Sequence, residues 1–151
     1  MLANDPDADR LAVAVPDGHG GYRLLTGNEI GWLLADDALA HAPTGDHPKL
    51  VVTTIVSSTL LSRMARDRGA RYAEALTGFK WIADAARRRA PQGESFVFGY
   101  EEALGYTVGT LVGDKDGIGA ALRMAELARH LKAAGQTLTG RLDQLLVDHG
   151  M

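Results

Sequence analysis

An acidic motif close to the start of the chain carries its clearest chemical signal. Asp5, Asp7 and Asp9 occupy alternate positions, and Arg10 follows directly. Because alternate side chains of an extended segment point the same way, the three carboxylates can converge on one point. Hard oxygen ligands suit Mg²⁺ or Ca²⁺, and the planar fork of an arginine suits a phosphate group. A divalent cation beside a phosphate-binding arginine is typical of phosphoryl transfer.

Three other kinds of segment share parts of this motif. An EF-hand calcium loop also starts with alternating aspartates, but it needs glycine and glutamate where this chain has Arg10 and Pro16. A phosphatase with an aspartate nucleophile needs apolar residues before its first aspartate, and Asn4-Asp5-Pro6 does not supply them. A solvated acidic loop is the remaining alternative.

The composition indicates one ordinary globular domain. The chain has 151 residues, of which 46% are hydrophobic and 23% are charged. The net charge of −3 argues against nonspecific nucleic-acid binding, and the chain lacks cysteine for disulfide or thiolate chemistry. No apolar run approaches the roughly 20 residues of a membrane span. Because only a few residues precede the acidic motif, we expect no signal peptide and a cytoplasmic location.

Hydrophobic periodicity predicts alternating strands and helices. Strands are predicted over residues 11–15, 22–25, 50–55, 72–76 and 96–98, and the first two form a hairpin. Helix N-caps are predicted at Thr26 (with a capping box to Glu29), at Ser57 or Ser58, at Thr77 and at Asp116. A polar loop over residues 41–48 and a last short helix over residues 138–147 complete the pattern. This alternation predicts an α/β fold with a mainly parallel sheet.

Open parallel sheets bind ligands at the carboxyl ends of their strands, and three polar segments are predicted there. They cover residues 77–80, 99–106 and 113–117. Glu101 and Glu102 follow an apolar strand, and carboxylates accept hydrogen bonds from neighbouring sugar hydroxyls. Lys80, in the first turn of a helix, is placed to bind phosphate or to act as an acid or base with a lowered pKa. Lys115 is likewise placed to face an anion.

These motifs together resemble those of the α-D-phosphohexomutase superfamily, which contains phosphoglucomutases and phosphomannomutases. Residues 5–10 resemble its metal-binding loop, and residues 99–106 resemble its sugar-binding loop. Residues 77–80 and 115–118 match further stretches in the same order. The variant of the metal loop, together with residues 54–58, points to the phosphoglucomutase-like branch. The resemblance covers nearly the whole chain.

The resemblance implies a role for each matching residue. Asp5, Asp7 and Asp9 would ligate Mg²⁺, and Arg10 would contact a catalytic phosphoserine. Lys80 would lie beside the phosphosugar as an acid or base.

In the sugar-binding loop, the resemblance implies that Glu101 binds sugar hydroxyls. Glu102 and Lys115 are predicted from their own positions to bind the substrate as well. Other members place a serine where this chain has Ala103, which removes one hydroxyl contact. Some members have a histidine at the end of this loop, where this chain has Tyr106. We therefore assign no general base to that position.

The family also implies a domain arrangement. Its members have four domains, the first with the phosphoserine and the fourth with a clamp for the substrate phosphate. Residues 1–25 resemble the end of domain 2, as a hairpin remnant with the metal loop, and residues 26–151 resemble domain 3, a three-layer α/β/α unit. No serine of this chain lies in a Ser-His-Asn-Pro setting.

The expected function is therefore that of a mutase fragment, which interconverts hexose 1-phosphate and hexose 6-phosphate only together with domains 1 and 4. The alternative is a non-catalytic module that binds Mg²⁺ and a sugar phosphate.

Overall fold

The computed structural model describes residues 1–43 and 45–150. Thr44, in the predicted loop over 41–48, and Met151, at the end of the predicted second domain, lie outside the described residues. In chain order the elements are β1 (Leu2–Asn4), β2 (Leu11–Pro16), β3 (Tyr22–Leu24), α1 (Gly27–His41), β4 (Lys49–Thr54), α2 (Leu60–Asp67), β5 (Arg71–Ala75), α3 (Phe79–Arg89), a 3-10 turn (Ala90–Gln92), β6 (Ser95–Glu101), β7 (Gly105–Val108), α4 (Gly117–Ala133) and α5 (Leu138–Asp148).

The main sheet has four strands in the order β5-β4-β6-β7. β4 pairs in parallel with both β5 and β6, whereas β7 runs antiparallel to β6. The prediction of an α/β fold with a mainly parallel sheet is therefore confirmed. The carboxyl ends of β4, β5 and β6 share one edge of this sheet.

β7 was not predicted, because the segment 99–106 was interpreted as a loop. β6 continues to Glu101 and β7 begins at Gly105, so only a tight turn separates the two strands. Leu104 lies in this turn with φ at 69°, a left-handed conformation that a leucine seldom adopts. The sequence therefore carries no ordinary turn signal at this point, and packing of the two strands decides the hairpin.

A second, three-stranded sheet has the order β1-β2-β3 and is antiparallel throughout. The hairpin of β2 and β3 confirms the sequence-based prediction. β1 was missed, because its three exposed residues have no hydrophobic period. Its place is set by pairing with the buried strand β2 and by the amino group of Met1, which donates to the carbonyl of Ala14 at 2.8 Å.

Helices cover both faces of the main sheet, which makes the predicted three layers. On one face α3 packs alone over a small cluster of Leu50, Val52, Ala73, Phe79 and Ile82. On the other face α1 contacts β6 and is flanked by α2, α4 and α5 around the larger core. Successive residues of β4 alternate between these two cores, as the pleat of a strand requires.

Two predicted helix caps are confirmed. The Thr26 hydroxyl accepts from the Glu29 amide and the Glu29 carboxylate accepts from the Thr26 amide, which is a complete capping box. The Asp116 carboxylate accepts from the amide of Gly119 at 2.8 Å.

Two other predicted caps are wrong. The N-cap of α2 is Thr59, and Ser58 instead accepts from the Leu60 amide through its hydroxyl. The N-cap of α3 is Gly78 rather than Thr77, at a φ of 113° that favours glycine. The first error arises because three consecutive hydroxyl residues precede α2, and the second because the left-handed Gly78 lets α3 begin one residue later than Thr77 indicates.

The remaining boundaries differ from the sequence-based predictions by one to three residues, and α5 occupies the place predicted for the last helix. Across the described residues, none of the helices has both the length and the apolar character that crossing a membrane requires.

Candidate metal and sugar-phosphate site

The acidic loop connects β1 to β2, and these paired strands hold its two ends together. The amide of Ala8 donates to the carbonyl of Asp5 at 3.0 Å, and Ala8 itself has a left-handed φ of 60°. In this conformation one carboxylate oxygen from each of Asp5, Asp7 and Asp9 lies within 4.8 Å of the other two. The predicted convergence of the three carboxylates is therefore present in the fold.

Arg10 stabilises the ionised form of the loop. Its backbone amide donates to Asp5 at 3.0 Å, and its side-chain Nε donates to the other oxygen of the same carboxylate at 2.7 Å. These bonds lower the pKa of Asp5 to about 2, so this carboxyl group is ionised at neutral pH. The Arg10 side chain is about half exposed, at 52%, which leaves part of its guanidinium open to a further anion.

The donor set fits Mg²⁺. All three groups are hard carboxylate oxygens, and Mg–O distances of about 2.1 Å place oxygens on opposite sides of the ion about 4.2 Å apart. Neighbouring oxygens on the ion are about 3.0 Å apart, so the three donor oxygens, which now lie within 4.8 Å of one another, would each move inward on binding.

Lys115 lies directly beside the acidic loop. Its Nζ is 3.0 Å from a carboxylate oxygen of Asp9 and 3.2 Å from one of Asp114. Partial burial opposes its charge, but these two carboxylates outweigh that effect and raise the pKa of Lys115. The stem of the side chain packs on Gly105, where an added Cβ would lie 2.7 Å from the lysine Cδ. The structure therefore brings Lys115 to the predicted metal ligands.

The backbone fixes the acidic loop against the main sheet. Arg10 forms an antiparallel bridge with Gly105, and the Leu11 amide donates to the carbonyl of Leu104 at 3.1 Å. Gly117, the first residue of α4, closes the contact, since a Cβ there would lie 2.5 Å from the carbonyl oxygen of Arg10. The acidic loop and the turn between β6 and β7 are thus direct neighbours.

The two adjacent glutamates have different surroundings. Glu101 is buried, and its Oε1 accepts from the amide of Gly78 at 2.7 Å, where α3 begins. Glu102 is half-buried, and its Oε2 accepts from the hydroxyls of Thr54 at 3.1 Å and Ser57 at 3.0 Å. The two carboxylates therefore face different elements, although they are adjacent in sequence.

Lys80 lies exposed in the first turn of α3, with its Nζ 5.2 Å from the centroid of the Trp81 ring. It lines a surface cavity of about 600 Å³ that Asp114 also lines. Asp114 also contacts Lys115, so the cavity that Lys80 lines reaches a carboxylate paired with Lys115.

Tyr106 is fully buried, and its hydroxyl donates to the carbonyl of Gly27 at 3.2 Å. Burial raises the pKa of Tyr106, which fits a structural residue and not a proton-transfer group.

Sequence reasoning gave no supporting role to several residues that hold the site in place. Gly27, the first residue of α1, lies against the Glu102 carbonyl, where an added Cβ would come within 1.8 Å. A signal for Gly27 and Gly117 was present, because glycine is unfavourable inside a helix and each follows an N-cap. Thr54 and Ser57 were also recognisable as hydroxyl residues that follow a buried strand.

The family model described as Phosphoglucomutase/phosphomannomutase, alpha/beta/alpha domain III matches residues 26–147. This class of domain has the layers seen here, and the match covers most of the chain. The chain therefore belongs to the α-D-phosphohexomutase superfamily, whose members are phosphomutases.

Individual relatives agree with this assignment. A phosphopentomutase from Mus musculus is 40% identical over 156 residues, which cover 99% of this chain and 25% of the relative. A putative phosphomannomutase from Thermus thermophilus has the same fold, with a TM-score of 0.76 at 24% identity over 99% of this chain and 31% of that one. An Aspergillus fumigatus N-acetylphosphoglucosamine mutase, solved with GlcNAc-6P and magnesium, has a TM-score of 0.56 at 20% identity over 99% of this chain and 33% of that one. The chain spans about a quarter of the length of the curated relatives it matches.

Proposed function

We propose that this chain supplies the metal loop and the sugar-binding loop of a phosphomutase. The reaction interconverts a hexose 1-phosphate and a hexose 6-phosphate through a sugar bisphosphate, with an enzyme phosphoserine giving and taking the phosphoryl group. The observation that carries this proposal is the bridge of Arg10 to Gly105, which brings the acidic loop to the Glu101 turn.

Asp5, Asp7 and Asp9 would hold Mg²⁺, which when bound neutralises developing charge on a transferring phosphoryl group. A related mutase of the same fold has been solved with magnesium, which supports this choice of ion. Arg10 would orient the phosphoserine phosphate through the exposed part of its guanidinium.

In the sugar-binding part, Glu101 would accept hydrogen bonds from sugar hydroxyls with the carboxylate oxygen that does not face Gly78. Lys115, which contacts Asp114, and Lys80, which lines the same cavity as Asp114, would bind the substrate phosphate, and Lys80 is the candidate acid or base. Glu102 contributes to substrate binding at the same turn.

We assign residues 1–25 to the end of mutase domain 2 and residues 26–151 to domain 3. On this assignment the phosphoserine and the phosphate clamp belong to domains 1 and 4, so the 151-residue chain by itself binds substrate without turning it over. A chain without cysteine is compatible with a reducing cytoplasm, where we place its action.

Two assays on the purified chain test this function. A coupled assay with glucose 1-phosphate, Mg²⁺ and a trace of glucose 1,6-bisphosphate is expected to show no turnover. Clear turnover would contradict the assignment of the phosphoserine and the phosphate clamp to other domains.

Saturation-transfer NMR with glucose 6-phosphate and Mg²⁺ is expected to show that the chain binds the sugar phosphate and that Glu101→Gln weakens this binding. Equal binding by that variant would contradict the role of Glu101.

Pentose phosphates are the second candidate substrates, because a relative that is 40% identical is named phosphopentomutase. Ala103 also removes one hydroxyl contact from the turn, which suits a sugar with fewer hydroxyl groups. The same NMR experiment with ribose 5-phosphate separates the two, since the preferred sugar phosphate gives binding at the lower concentration.

A further inference from the structure

The carboxylate of Glu102 lies in a closed group of three polar side chains. Its Oε2 accepts from the hydroxyls of Thr54 and Ser57, and those two hydroxyl oxygens lie 2.8 Å from each other. Thr54 ends strand β4 and is buried, whereas Ser57 lies three residues further along the chain. An ionised carboxylate is the strongest acceptor available to such hydroxyls. Glu102 therefore joins the end of β4 to the turn that follows it.

The turn over residues 54–58 is held at each end. The Ser57 amide donates to the Thr54 carbonyl at 3.0 Å, and the Ile55 amide donates to the carbonyl of Ala75 at 2.9 Å. The Ser58 amide donates at 3.0 Å to Asn28, whose side-chain oxygen also accepts from the Tyr100 hydroxyl. The backbone of this turn is thus bound to two neighbouring elements, β5 and α1.

The tip of the turn is apolar and points outward. Ile55 and Val56 are 56% and 58% exposed, although the residues before and after them are held by hydrogen bonds. The turn begins where β4 ends, at the carboxyl edge of the sheet, and the hydrogen bonds of Thr54 and Ser57 to Glu102 place it beside the turn between β6 and β7.

We propose that Glu102 is a positioning residue that fixes the turn 54–58 as an apolar wall of the sugar-phosphate site. This inference rests on the proposed function. Glu101 contacts sugar hydroxyls, while Glu102 acts through Thr54 and Ser57 to hold Ile55 and Val56 against the C–H face of the same sugar. The adjacent glutamates thereby divide recognition between a polar and an apolar surface.

A double-mutant cycle separates this role from direct contact with the sugar. The variants are Glu102→Ala, the pair Thr54→Val with Ser57→Ala, and the combination of all three, each titrated with glucose 6-phosphate by NMR. We expect Glu102→Ala to weaken binding about ten-fold in the wild-type background and less than about two-fold once both hydroxyls are gone. An equal loss in both backgrounds would show direct contact and overturn the proposal.

Conservative and control variants keep the cycle interpretable. Glu102→Gln retains an oxygen acceptor for both hydroxyls, so binding is expected to stay within about three-fold of wild type. Asp143→Ala, on the exposed face of α5, is the control for loss of a carboxylate and is expected to bind as wild type. If Glu102→Gln binds as poorly as Glu102→Ala, the charge of Glu102 acts on the ligand and the positioning role is wrong.

Spectra without ligand distinguish failure of this inference from failure of the proposed function. We expect Glu102→Ala and the double variant to shift the same amide signals, those of residues 55–58, while the melting transition stays cooperative. Unchanged signals there would overturn positioning by Glu102. If the wild-type chain binds no sugar phosphate, the proposed function and the wall both fail, whatever the spectra show of the turn.

Discussion

The three carboxylates of the acidic loop lie close together because two cations offset their mutual repulsion. Arg10 contacts Asp5, and Lys115 contacts Asp9, which leaves Asp7 as the exposed member of the cluster. A divalent ion that enters this cluster therefore competes with Lys115 for the charge of Asp9. This competition leads to two predictions at the scale of single residues.

The first prediction concerns Asp7. Asp7→Asn is expected to weaken Mg²⁺ binding at least about ten-fold, because one of three anionic oxygen donors becomes neutral. Isothermal titration with Mg²⁺ measures the effect, and Asp143→Asn on the exposed face of α5 serves as the control. Unchanged affinity would show that the loop does not hold the ion.

The second prediction concerns Lys115. Lys115→Met keeps the apolar stem on Gly105 but removes the charge, so Mg²⁺ is expected to bind more tightly. Since a partly exposed ion pair contributes up to about 1 kcal/mol, the gain in affinity is up to about five-fold. The same titration measures the change in Mg²⁺ affinity, and Lys132→Met is the control for loss of a lysine charge elsewhere. Weaker binding by Lys115→Met would contradict competition between the two cations.

At the scale of elements, two helices begin where a neighbouring backbone leaves no room for a side chain. α1 begins at Gly27 against the carbonyl of Glu102, and α4 begins at Gly117 against the carbonyl of Arg10. Each helix therefore starts at a part of the site, and the N-caps Thr26 and Asp116 fix where it starts.

The capping box of α1 gives a prediction for pH dependence. Burial acts to raise the pKa of Glu29, but hydrogen bonds from Thr26 and Arg23 outweigh it and hold the pKa below the ordinary 4.5. Because the pKa of Glu29 is lower in the folded chain, its ionised carboxylate stabilises the fold above pH 4.5. This stabilisation disappears as the pH falls through the pKa of Glu29 in the folded chain.

Glu29→Gln is therefore expected to lower the free energy of unfolding by about 0.5–1 kcal/mol at pH 7. The difference from wild type should shrink steadily below pH 4.5. Urea unfolding at several pH values between neutral and mildly acidic measures both. A difference that stays constant over this range would contradict the role of the Glu29 charge.

At the scale of the whole molecule, α1 carries two buried aspartates that tie the helices together. Asp36 pairs with Arg68, the C-cap of α2, and with Arg141 of α5, which donates to it at 2.8 and 2.9 Å. Asp37 pairs with Arg123 of α4 at 2.6 Å. Every other helix on this face of the sheet is thus joined to α1 by an ion pair.

Breaking the larger of these networks is expected to destabilise the entire chain. Asp36→Asn leaves two arginines without their anionic partner. Because both arginines reach water, we expect the free energy of unfolding to fall by about 2–3 kcal/mol, which is at or below the low end for breaking a buried ion pair. Thermal melting and urea unfolding measure the change, with Asp46→Asn in an exposed loop as the control. Equal stability of Asp36→Asn and wild type would show that packing alone holds the helical layer.

The sequence by itself determined the fold class, the order of most elements and the residues of the acidic loop. Alternating hydrophobic runs reveal strands and helices because burial follows the local period of each element. The acidic residues also revealed the cluster, although the loop is a turn with a left-handed Ala8 and not the extended segment from which their convergence was predicted. The positions of Thr26 and Asp116 follow from short-range capping chemistry. The roles of Glu101, Glu102, Lys80 and Lys115 in binding stay predictions.

Only the tertiary structure decided what depends on contacts between distant parts of the chain. The strands β1 and β7 form because their partners are buried and already placed, and not because their own sequence is periodic. The division of work between Glu101 and Glu102 depends on Gly78 and on Thr54 with Ser57, which lie more than 20 residues away. Lys115 meets Asp9 because α4 begins on the backbone of the acidic loop, a contact that no local pattern of residues encodes.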